Sequence, residues 1–261
     1  EEFVGAWEDR FPYEAVMEKY KMYSGAGQEQ SFAQEYMMEV LDLTSRLVDP
    51  EDIRWYDPDQ IAKNKGNYNY YISTDFATST KKSADFSAIA VWAVNANGDW
   101  MLVDGVCVRQ TMQDNLEDLF RLVQKWKPIS VGIESSGQQG GFISILEDMM
   151  FKRNVWFNLA RKRGSKEPGI RPTGDKTSRF VTGVQPMFKQ GKVWLPRAEL
   201  VEKKNPKLYQ ALQELENELS KFTLAGGVQK LAHDDMIDTL NQLSEMEVWL
   251  PSEGSEEDKV D

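Results

Sequence analysis

The segment from residue 70 to residue 108 determines the predicted fold. It reads YYISTDF at 70–76, SAIAVWAV at 87–94 and WMLVDGVCV at 100–108. Aromatic and β-branched residues dominate each run, which is typical of strands. Asn97-Gly98 separates the second run from the third, and this dipeptide favours a tight hairpin turn. The sequence therefore predicts three antiparallel strands.

After this hairpin the pattern changes to strands that alternate with helices. The predicted elements are a helix at 113–127, a strand at 129–134, a helix at 141–152, a strand at 155–159, and helices at 176–190, 205–219 and 234–248. The order β-β-β-α-β-α-β, followed by helices, predicts an α/β fold with a mixed sheet flanked by helices. The ribonuclease H fold has this layout, although a fold alone does not set a function.

The two ends of the chain differ from this central part. Residues 1 to about 50 are expected to be helical, because large apolar side chains between 13 and 20 share one helical face. Residues 49–65 are polar, contain two prolines and have the character of a connector. The sequence thus predicts a helical linker segment at 1–66, the main domain at 67–250 and an acidic, disordered tail at 251–261.

Composition excludes several classes of protein. The net charge of −11 is not that of a protein that coats DNA, yet a local basic patch and bound cations would let an acidic enzyme bind it. The single cysteine, Cys107, suits a reducing cytoplasm, and one Cys with one His cannot form a zinc cluster. No apolar run has the length of a membrane span, and no signal segment opens the chain. The chain begins at Glu1 without a methionine, which indicates processing or an excised fragment.

Carboxylates occur at three points of this predicted fold. Asp75 lies near the end of the first strand, and Glu134 ends the strand at 129–134 before a glycine-rich turn. That turn lacks the spacing of a Walker A loop or a dinucleotide-binding fingerprint. Taken singly, Asp75 is explained equally well as a turn residue, and Glu134 as an exposed strand end.

The third point is the cluster HDDMID at residues 233–238. Asp235 and Asp238 are three residues apart and share a helical face, and Asp234 and Asp238 nearly do. Acidic residues at a helix start also favour the helix dipole. Three carboxylates within five residues repel one another unless a cation lies among them, which favours a metal site. Hard divalent cations such as Mg²⁺ prefer carboxylate oxygens and bind substrate phosphates.

Positive charge is concentrated between residues 161 and 179. The basic residues of this segment are Arg161, Lys162, Arg163, Lys166, Arg171, Lys176 and Arg179. Glycines and prolines give the segment the character of a mobile loop, and a basic loop in an acidic protein suits contacts with DNA phosphates. A solvated loop is the plainer alternative. A second basic cluster at 203–207 is better explained as an ordinary helix start.

Taken in order, these motifs resemble the nuclease half of phage terminase large subunits. The segments that carry the resemblance are Thr74-Asp75-Phe76-Ala77, Asp85-Phe86-Ser87-Ala88, Val131-Gly132-Ile133-Glu134 and the HDDMID cluster. Residues 32–37 resemble the segment that joins the family's packaging ATPase to its nuclease, and residues 180–196 also resemble the family. The resemblance covers nearly the whole chain, and the ordered set is more specific than any one piece.

The resemblance implies a ribonuclease H-like fold, two Mg²⁺ or Mn²⁺ ions, and cleavage of concatemeric viral DNA (joined genome copies) during packaging. It implies Asp75 and Glu134 as the first two catalytic metal ligands. Asp234, Asp235 and Asp238 compete for the third position, for which we expect Asp235, with Asp234 and Asp238 as supporting ligands. Asp85 is a further ligand or a turn residue. The implied partners are double-stranded DNA, the portal protein, the small terminase subunit and the ATPase domain of the same protein, in the cytoplasm of the host cell. The family's ATPase motifs are absent, so we expect no ATP hydrolysis.

Two alternatives stay open at this point. A Holliday-junction resolvase of the RuvC type has a similar acidic layout, although the N-terminal helical segment and the basic loop favour a terminase. A non-catalytic ribonuclease H-like module that docks a portal or DNA is the second alternative, and metal-dependent cutting would exclude it.

Overall fold

The computed structural model describes residues 12–25, 36, 46–77, 86–134, 140–223 and 234–251. The chain divides into two compact units, residues 1–46 and 47–261. In the first unit the structure describes the helix α1, Tyr13–Gly25. Residues 1–11, 26–35 and 37–45 of the predicted helical linker segment, Asp85, His233 and residues 252–261 of the predicted acidic tail lie outside the described residues.

The second unit contains a mixed sheet of six strands. They are β1 Arg54–Tyr56, β2 Asn69–Asp75, β3 Ser87–Val94, β4 Trp100–Val108, β5 Ser130–Val131 and β6 Val193–Pro196. The strand order is β1-β6-β4-β3-β2-β5, with antiparallel pairing from β2 through β4 and parallel pairing elsewhere. The chain turns at Asn97-Gly98 between β3 and β4, where Gly98 has a φ of 75°. The predicted hairpin, the mixed sheet and the ribonuclease H-like architecture are confirmed.

Helices flank this sheet. They are α2 Pro58–Lys63, α3 Met112–Trp126, α4 Gly140–Arg153, α5 Lys176–Arg179, α6 Gln185–Lys189, α7 Ala198–Val201, α8 Pro206–Lys221 and α9 Asp235–Glu245, with a π-helical turn at Phe180–Val184. Thr111 begins α3 with a capping box, since its side chain accepts a hydrogen bond from the Asp114 backbone and that carboxylate accepts one from the Thr111 backbone. Among the described residues, no helix combines the length and the apolar character needed to cross a membrane.

The sheet is buried on both faces. Side chains alternate along each strand, so that Ala90 and Trp92 of β3 pack in the layer that contains α8 and α9. Ile89 and Val91 pack in the opposite layer, with α3 and α4. All eight residues of β3 are buried, which explains its nearly unbroken apolar run. The central strands thereby form a firm base for the side chains at their ends.

The structure differs from the sequence prediction in the segment at 49–65. It contains β1 and α2 instead of a simple connector, and Tyr56 and Ile61 are buried in the core. The compact unit therefore begins at Leu47, whereas the sequence analysis placed the domain start at residue 67.

Two of the later strands also differ from the prediction. The expected strand at 155–159 is not formed as an element, because its pairing is confined to a single bridge between Leu159 and Val131. The strand expected at 129–134 is reduced to β5, and Glu134 instead makes a bridge to Ile170. β6 was not predicted, and it joins β1 to the rest of the sheet.

Candidate active site

Carboxylates from three separate segments meet where β2 ends beside the start of α9. Asp75 is the last residue of β2, and Asp235 and Asp238 lie in the first turn of α9. Asp75, Glu134 and Asp238 line one small cleft. Asp235 is buried, and its carboxylate accepts a hydrogen bond of 3.2 Å from the Phe86 backbone N–H just before β3. The fold thus brings together Asp75, Glu134, Asp235 and Asp238. Asp85, which the sequence analysis also singled out, lies outside the described residues.

Negative charge is in excess at this cleft. Burial raises the pKa of Asp75 well above its ordinary value, and the charges of Asp238, Asp235 and Glu134 raise it further, against a lowering by Lys176. Burial also raises the pKa of Asp238, although Lys176 opposes it. Carboxylates in such surroundings are stabilised by a proton or by a cation.

A lysine supplies part of the missing positive charge. The Nζ of Lys176 lies 2.6 Å from an Asp234 oxygen and also forms an ion pair with Asp238. Burial acts to lower the pKa of Lys176, but Asp238 and Asp234 raise it, and the net shift is upward. Arg179 lies 3.7 Å from Asp238 and 3.5 Å from Glu245. Cationic side chains therefore already stand among the acidic ones.

The donor set fits a hard divalent cation. Its side chains are carboxylates, whose oxygens Mg²⁺ and Mn²⁺ prefer. Within the part of the chain that the structure describes, no group of three or more His, Cys, Asp or Glu side chains is arranged to hold an ion. The Lys176 ammonium lies between Asp234 and Asp238, in a position that suits a cation. The cluster therefore has the ligand chemistry of a metal site, and the Lys176 ammonium occupies part of it.

Three further residues belong to this site, and the sequence analysis did not single them out. Gln242 and Glu245 follow Asp238 by four and seven residues and line the same cleft. Glu218 of α8 caps α9, because its carboxylate accepts hydrogen bonds from the backbones of Met236 (3.2 Å) and Ile237 (2.8 Å). Helical spacing from Asp238 could have identified the first two residues. Glu218 comes from another helix, so no local pattern could have placed it.

The burial of Glu218 has an electrostatic consequence. Burial raises its pKa to about 8, although the two backbone hydrogen bonds act to lower it. Asp235 and Asp234 raise it further, which again reflects the excess of negative charge at the start of α9.

The basic residues between 161 and 179 fall into two groups. Three are paired with acidic residues of the site: Lys176 and Arg179 as described above, and Lys162, whose Nζ lies 2.9 Å from Glu245. The other four have exposed side chains, namely Arg161, Arg163, Lys166 and Arg171. Ile170 and Pro172 line the acidic cleft, so the loop that carries the exposed group borders the site directly.

The second basic cluster is tied into the fold. Lys204 pairs with Asp59 at 3.1 Å, and Lys207 pairs with Asp118 at 2.6 Å. These contacts agree with the structural role that the sequence analysis preferred for them.

Comparison with known proteins finds a family whose model matches this chain. Residues 72–247 match a family model described as the terminase RNaseH-like domain. This range includes all the carboxylates of the cleft and the whole basic loop. No curated protein matches the chain.

Solved structures resemble the chain at low sequence identity. The large terminase nuclease from thermophilic phage G20c with bound magnesium is 14% identical, with 68% of this chain and 81% of that chain covered and a TM-score of 0.44. The same nuclease with bound zinc is 13% identical, with 69% of this chain and 83% of that chain covered and a TM-score of 0.42. The HK97 bacteriophage large terminase is 12% identical with a TM-score of 0.33, and the match covers 69% of this chain and 40% of that longer chain.

Proposed function

The chain belongs to the family of terminase RNaseH-like domains, and from this membership we propose that it is a metal-dependent DNA endonuclease that cuts concatemeric viral DNA during genome packaging. One observation carries the proposal. Asp75, Glu134 and Asp238 meet in a cleft where negative charge is in excess, beside the buried Asp235. A structural cluster of carboxylates would be expected to balance its charges, whereas this one favours an added cation.

In the proposed mechanism the acidic residues have distinct tasks. Asp75, Glu134 and Asp235 would hold Mg²⁺ or Mn²⁺, and Asp234 and Asp238 would support them. Two such ions, when bound, supply activation of the attacking water and stabilisation of the leaving oxygen.

The remaining side chains orient the site and balance its charge. The hydrogen bond from Phe86 fixes the carboxylate of Asp235, and Glu218 holds the first turn of α9 in place. Lys176 and Arg179 limit the repulsion among the carboxylates.

DNA would reach the cleft along the basic loop. Arg161, Arg163, Lys166 and Arg171 are exposed beside the cleft, where their charges would bind phosphates. The three paired residues, Lys162, Lys176 and Arg179, would act close to the cleft, where they also balance charge. The proposed contacts involve the DNA backbone and therefore carry no base sequence information.

The biological setting follows from the family. We propose that the portal protein, the small terminase subunit and an ATPase domain of the same protein are partners, and that the chain acts in the host cytoplasm. Residues 1–66 would include the link to the ATPase domain.

A plasmid assay tests the proposal. The purified chain should cut supercoiled and linear duplex DNA with Mn²⁺ or Mg²⁺ and stop with EDTA. Asp235→Asn should lose this activity, whereas Asp148→Asn, which changes an exposed helix acid paired with Lys152, should keep it. Cutting that persists unchanged in excess chelator would falsify the metal mechanism. Strong preference for four-way junctions would favour a resolvase, and DNA binding without cutting would favour a docking module.

A further inference from the structure

Strands β2 and β5 separate at the point where the acidic cleft opens. Their parallel pairing comprises Tyr71 with Ser130 and Ile72 with Val131. Along this edge, the Tyr70 carbonyl accepts a hydrogen bond from Ile129 (2.8 Å), and the Ile72 carbonyl accepts one from Gly132 (2.7 Å). Every second residue of a strand presents its backbone to the same side, so Thr74 turns its N–H and carbonyl toward this edge as well.

Beyond Gly132 the chain no longer follows β2. The carbonyl of Ile133 accepts a hydrogen bond from the backbone of Ile170, which lies within the basic loop. This divergence makes room for the cleft between Asp75 and Glu134. It also removes the strand that would otherwise pair with Thr74, which is buried at 2% exposure. A buried peptide group needs partners from elsewhere.

The side chain of Gln242 takes the place of that strand. Its Oε1 accepts a hydrogen bond from the Thr74 N–H at 2.8 Å, and its Nε2 donates one to the Thr74 carbonyl at 3.0 Å. Gln242 is 6% exposed, so water cannot easily replace either bond. The Thr74 hydroxyl donates a hydrogen bond to the Gly132 carbonyl at 2.8 Å, which connects β2 to the residue directly after β5.

Gly132 provides the space for this amide. A Cβ at that position would lie 2.4 Å from the Gln242 Oε1 and 2.9 Å from the Met246 Sδ. Any other residue at 132 would therefore displace the Gln242 amide or α9. The glycine of the Val131-Gly132-Ile133-Glu134 segment thus has a steric role in the contact between α9 and the sheet.

We propose that Gln242 is the positioning residue that fixes Asp75 relative to Asp235 and Asp238. Thr74 directly precedes Asp75, and Gln242 lies one helical turn beyond Asp238. The two hydrogen bonds join the strand that carries one carboxylate to the helix that carries the others. These two hydrogen bonds matter because functional groups from separate elements have to be held within roughly 0.5 Å of the geometry that their function requires. The inference rests on the proposed function, since it concerns the same site.

Calorimetric titration with Mn²⁺ tests this role without relying on activity. Gln242→Met keeps the length of the side chain and removes both hydrogen bonds. We expect it to bind Mn²⁺ at least tenfold more weakly than the unaltered chain, and cutting should need correspondingly more Mn²⁺. A purely structural role would lower the melting temperature without moving the affinity for the metal.

Asn205→Ala is the matched control. Asn205 caps α8 by accepting a hydrogen bond from Leu208 (3.2 Å) and also donates one to Asp104 (2.7 Å). Its loss should also lower the melting temperature, because it removes two hydrogen bonds of an amide side chain at the opposite end of α8 from Glu218. Its affinity for Mn²⁺ should stay at the level of the unaltered chain.

Gly132→Ala disturbs the same contact between Gln242 and Thr74 by a different substitution. It leaves every side chain of the site unchanged but displaces the Gln242 amide, and it should weaken Mn²⁺ binding in the same direction. If Gln242→Met does not fold, Gln242→Asn, which keeps the amide but shortens its reach, takes its place in the titration.

The outcomes separate this inference from the proposed function. If the unaltered chain binds no Mn²⁺, both are wrong. If the unaltered chain binds Mn²⁺, Asp75→Asn does not, and the Gln242 and Gly132 variants bind it normally, the positioning role alone is overturned. Weak binding by these variants with normal binding by Asn205→Ala supports it.

Discussion

Asp118 on α3 and Asp75 at the end of β2 are both enclosed carboxylates, but their surroundings carry opposite charge. Asp118 is held by Lys207 at 2.6 Å and Arg121 at 3.0 Å, and Gln110 adds a hydrogen bond of 3.1 Å. Asp75 instead has Asp238, Asp235 and Glu134 as its charged neighbours, with Lys176 as the opposing charge.

The two pKa values therefore move in opposite directions. Burial acts to raise the pKa of Asp118, but the hydrogen bonds from Lys207, Gln110 and Arg121 outweigh it and the pKa is lowered. Burial and like charges together raise the pKa of Asp75. An acid with a lowered pKa adds to folding stability at neutral pH, whereas one with a raised pKa costs stability. We therefore propose a structural role for Asp118 and a functional one for Asp75.

Substitutions in the acidic cluster at the start of α9 should reduce activity the most. Asp235→Asn should slow cutting by on the order of 10²-fold or more, since even outer-shell changes at metal sites cost about 10–100-fold. The chain should stay folded, because an asparagine oxygen can still accept the hydrogen bond from Phe86. Asp238→Asn should slow cutting less than Asp235→Asn does. The single-turnover cleavage rate and the Mn²⁺ affinity of both variants are the measurements.

Asp234 provides the check on this assignment. It precedes α9 and pairs with Lys176 without capping the helix through its side chain. Normal rate and metal affinity in Asp235→Asn, together with loss of both in Asp234→Asn, would shift the assignment by one residue and leave the nuclease proposal intact.

The basic loop should change DNA binding rather than metal binding. Reversal of Arg161, Arg163 and Lys166 to Glu should weaken binding and flatten its dependence on salt, by about 0.9 in log–log slope for each DNA phosphate that the protein no longer neutralises. The measurement is duplex affinity across a series of salt concentrations, with Lys203→Glu as an exposed control. An unchanged slope would place the loop away from the DNA.

Asp118→Asn should affect stability alone. It removes charge-assisted hydrogen bonds to a buried group, so we expect a loss of about 1–3 kcal/mol in the free energy of unfolding. Denaturant titration measures this loss, and Mn²⁺ affinity should not change. A loss of metal binding in this variant would blur the distinction between the two carboxylates.

The smallest effect is a difference in pH dependence, measured by thermal melting in chelator. Asp75→Asn should be more stable than the unaltered chain at high pH, because the cost of the ionised carboxylate is present above its raised folded-state pKa. The difference should shrink as pH falls toward about 4, the ordinary pKa of an aspartate.

Asp118→Asn should show the opposite dependence. The contribution of Asp118 is present above the unfolded-state pKa and is lost as pH falls through the lowered folded-state pKa. The penalty of the variant should therefore shrink at acidic pH. Parallel curves for the two variants would contradict the opposite pKa shifts.

Sequence patterns predicted the elements that carry long, regular signals. The hairpin strands and α3 follow from their periodicity and turn residues. β1 and β6 have three and four residues and are ordered by pairing within the sheet, β1 with β6 and β6 with β4, so no local pattern marks them. The strand expected at 155–159 has suitable composition, but the structure gives it a single bridge.

The site shows the same division between local and long-range information. The spacing of Asp235 and Asp238 on one helical face can be read from the sequence. The pairing of Lys176 with Asp234 joins residues 58 positions apart, and Gln242 meets Thr74 across 168 positions. Such contacts depend on the way α5, α9 and β2 pack together, which the sequence pattern does not contain.

Thermal melting with and without Mn²⁺ shows whether metal binds where negative charge is in excess. A ligand that binds the folded state raises its stability according to its affinity and concentration. Saturating Mn²⁺ should raise the melting temperatures of the unaltered chain and of Asp118→Asn by similar amounts, and that of Asp75→Asn by much less. An equal rise in all three proteins would mean that Mn²⁺ does not bind at Asp75.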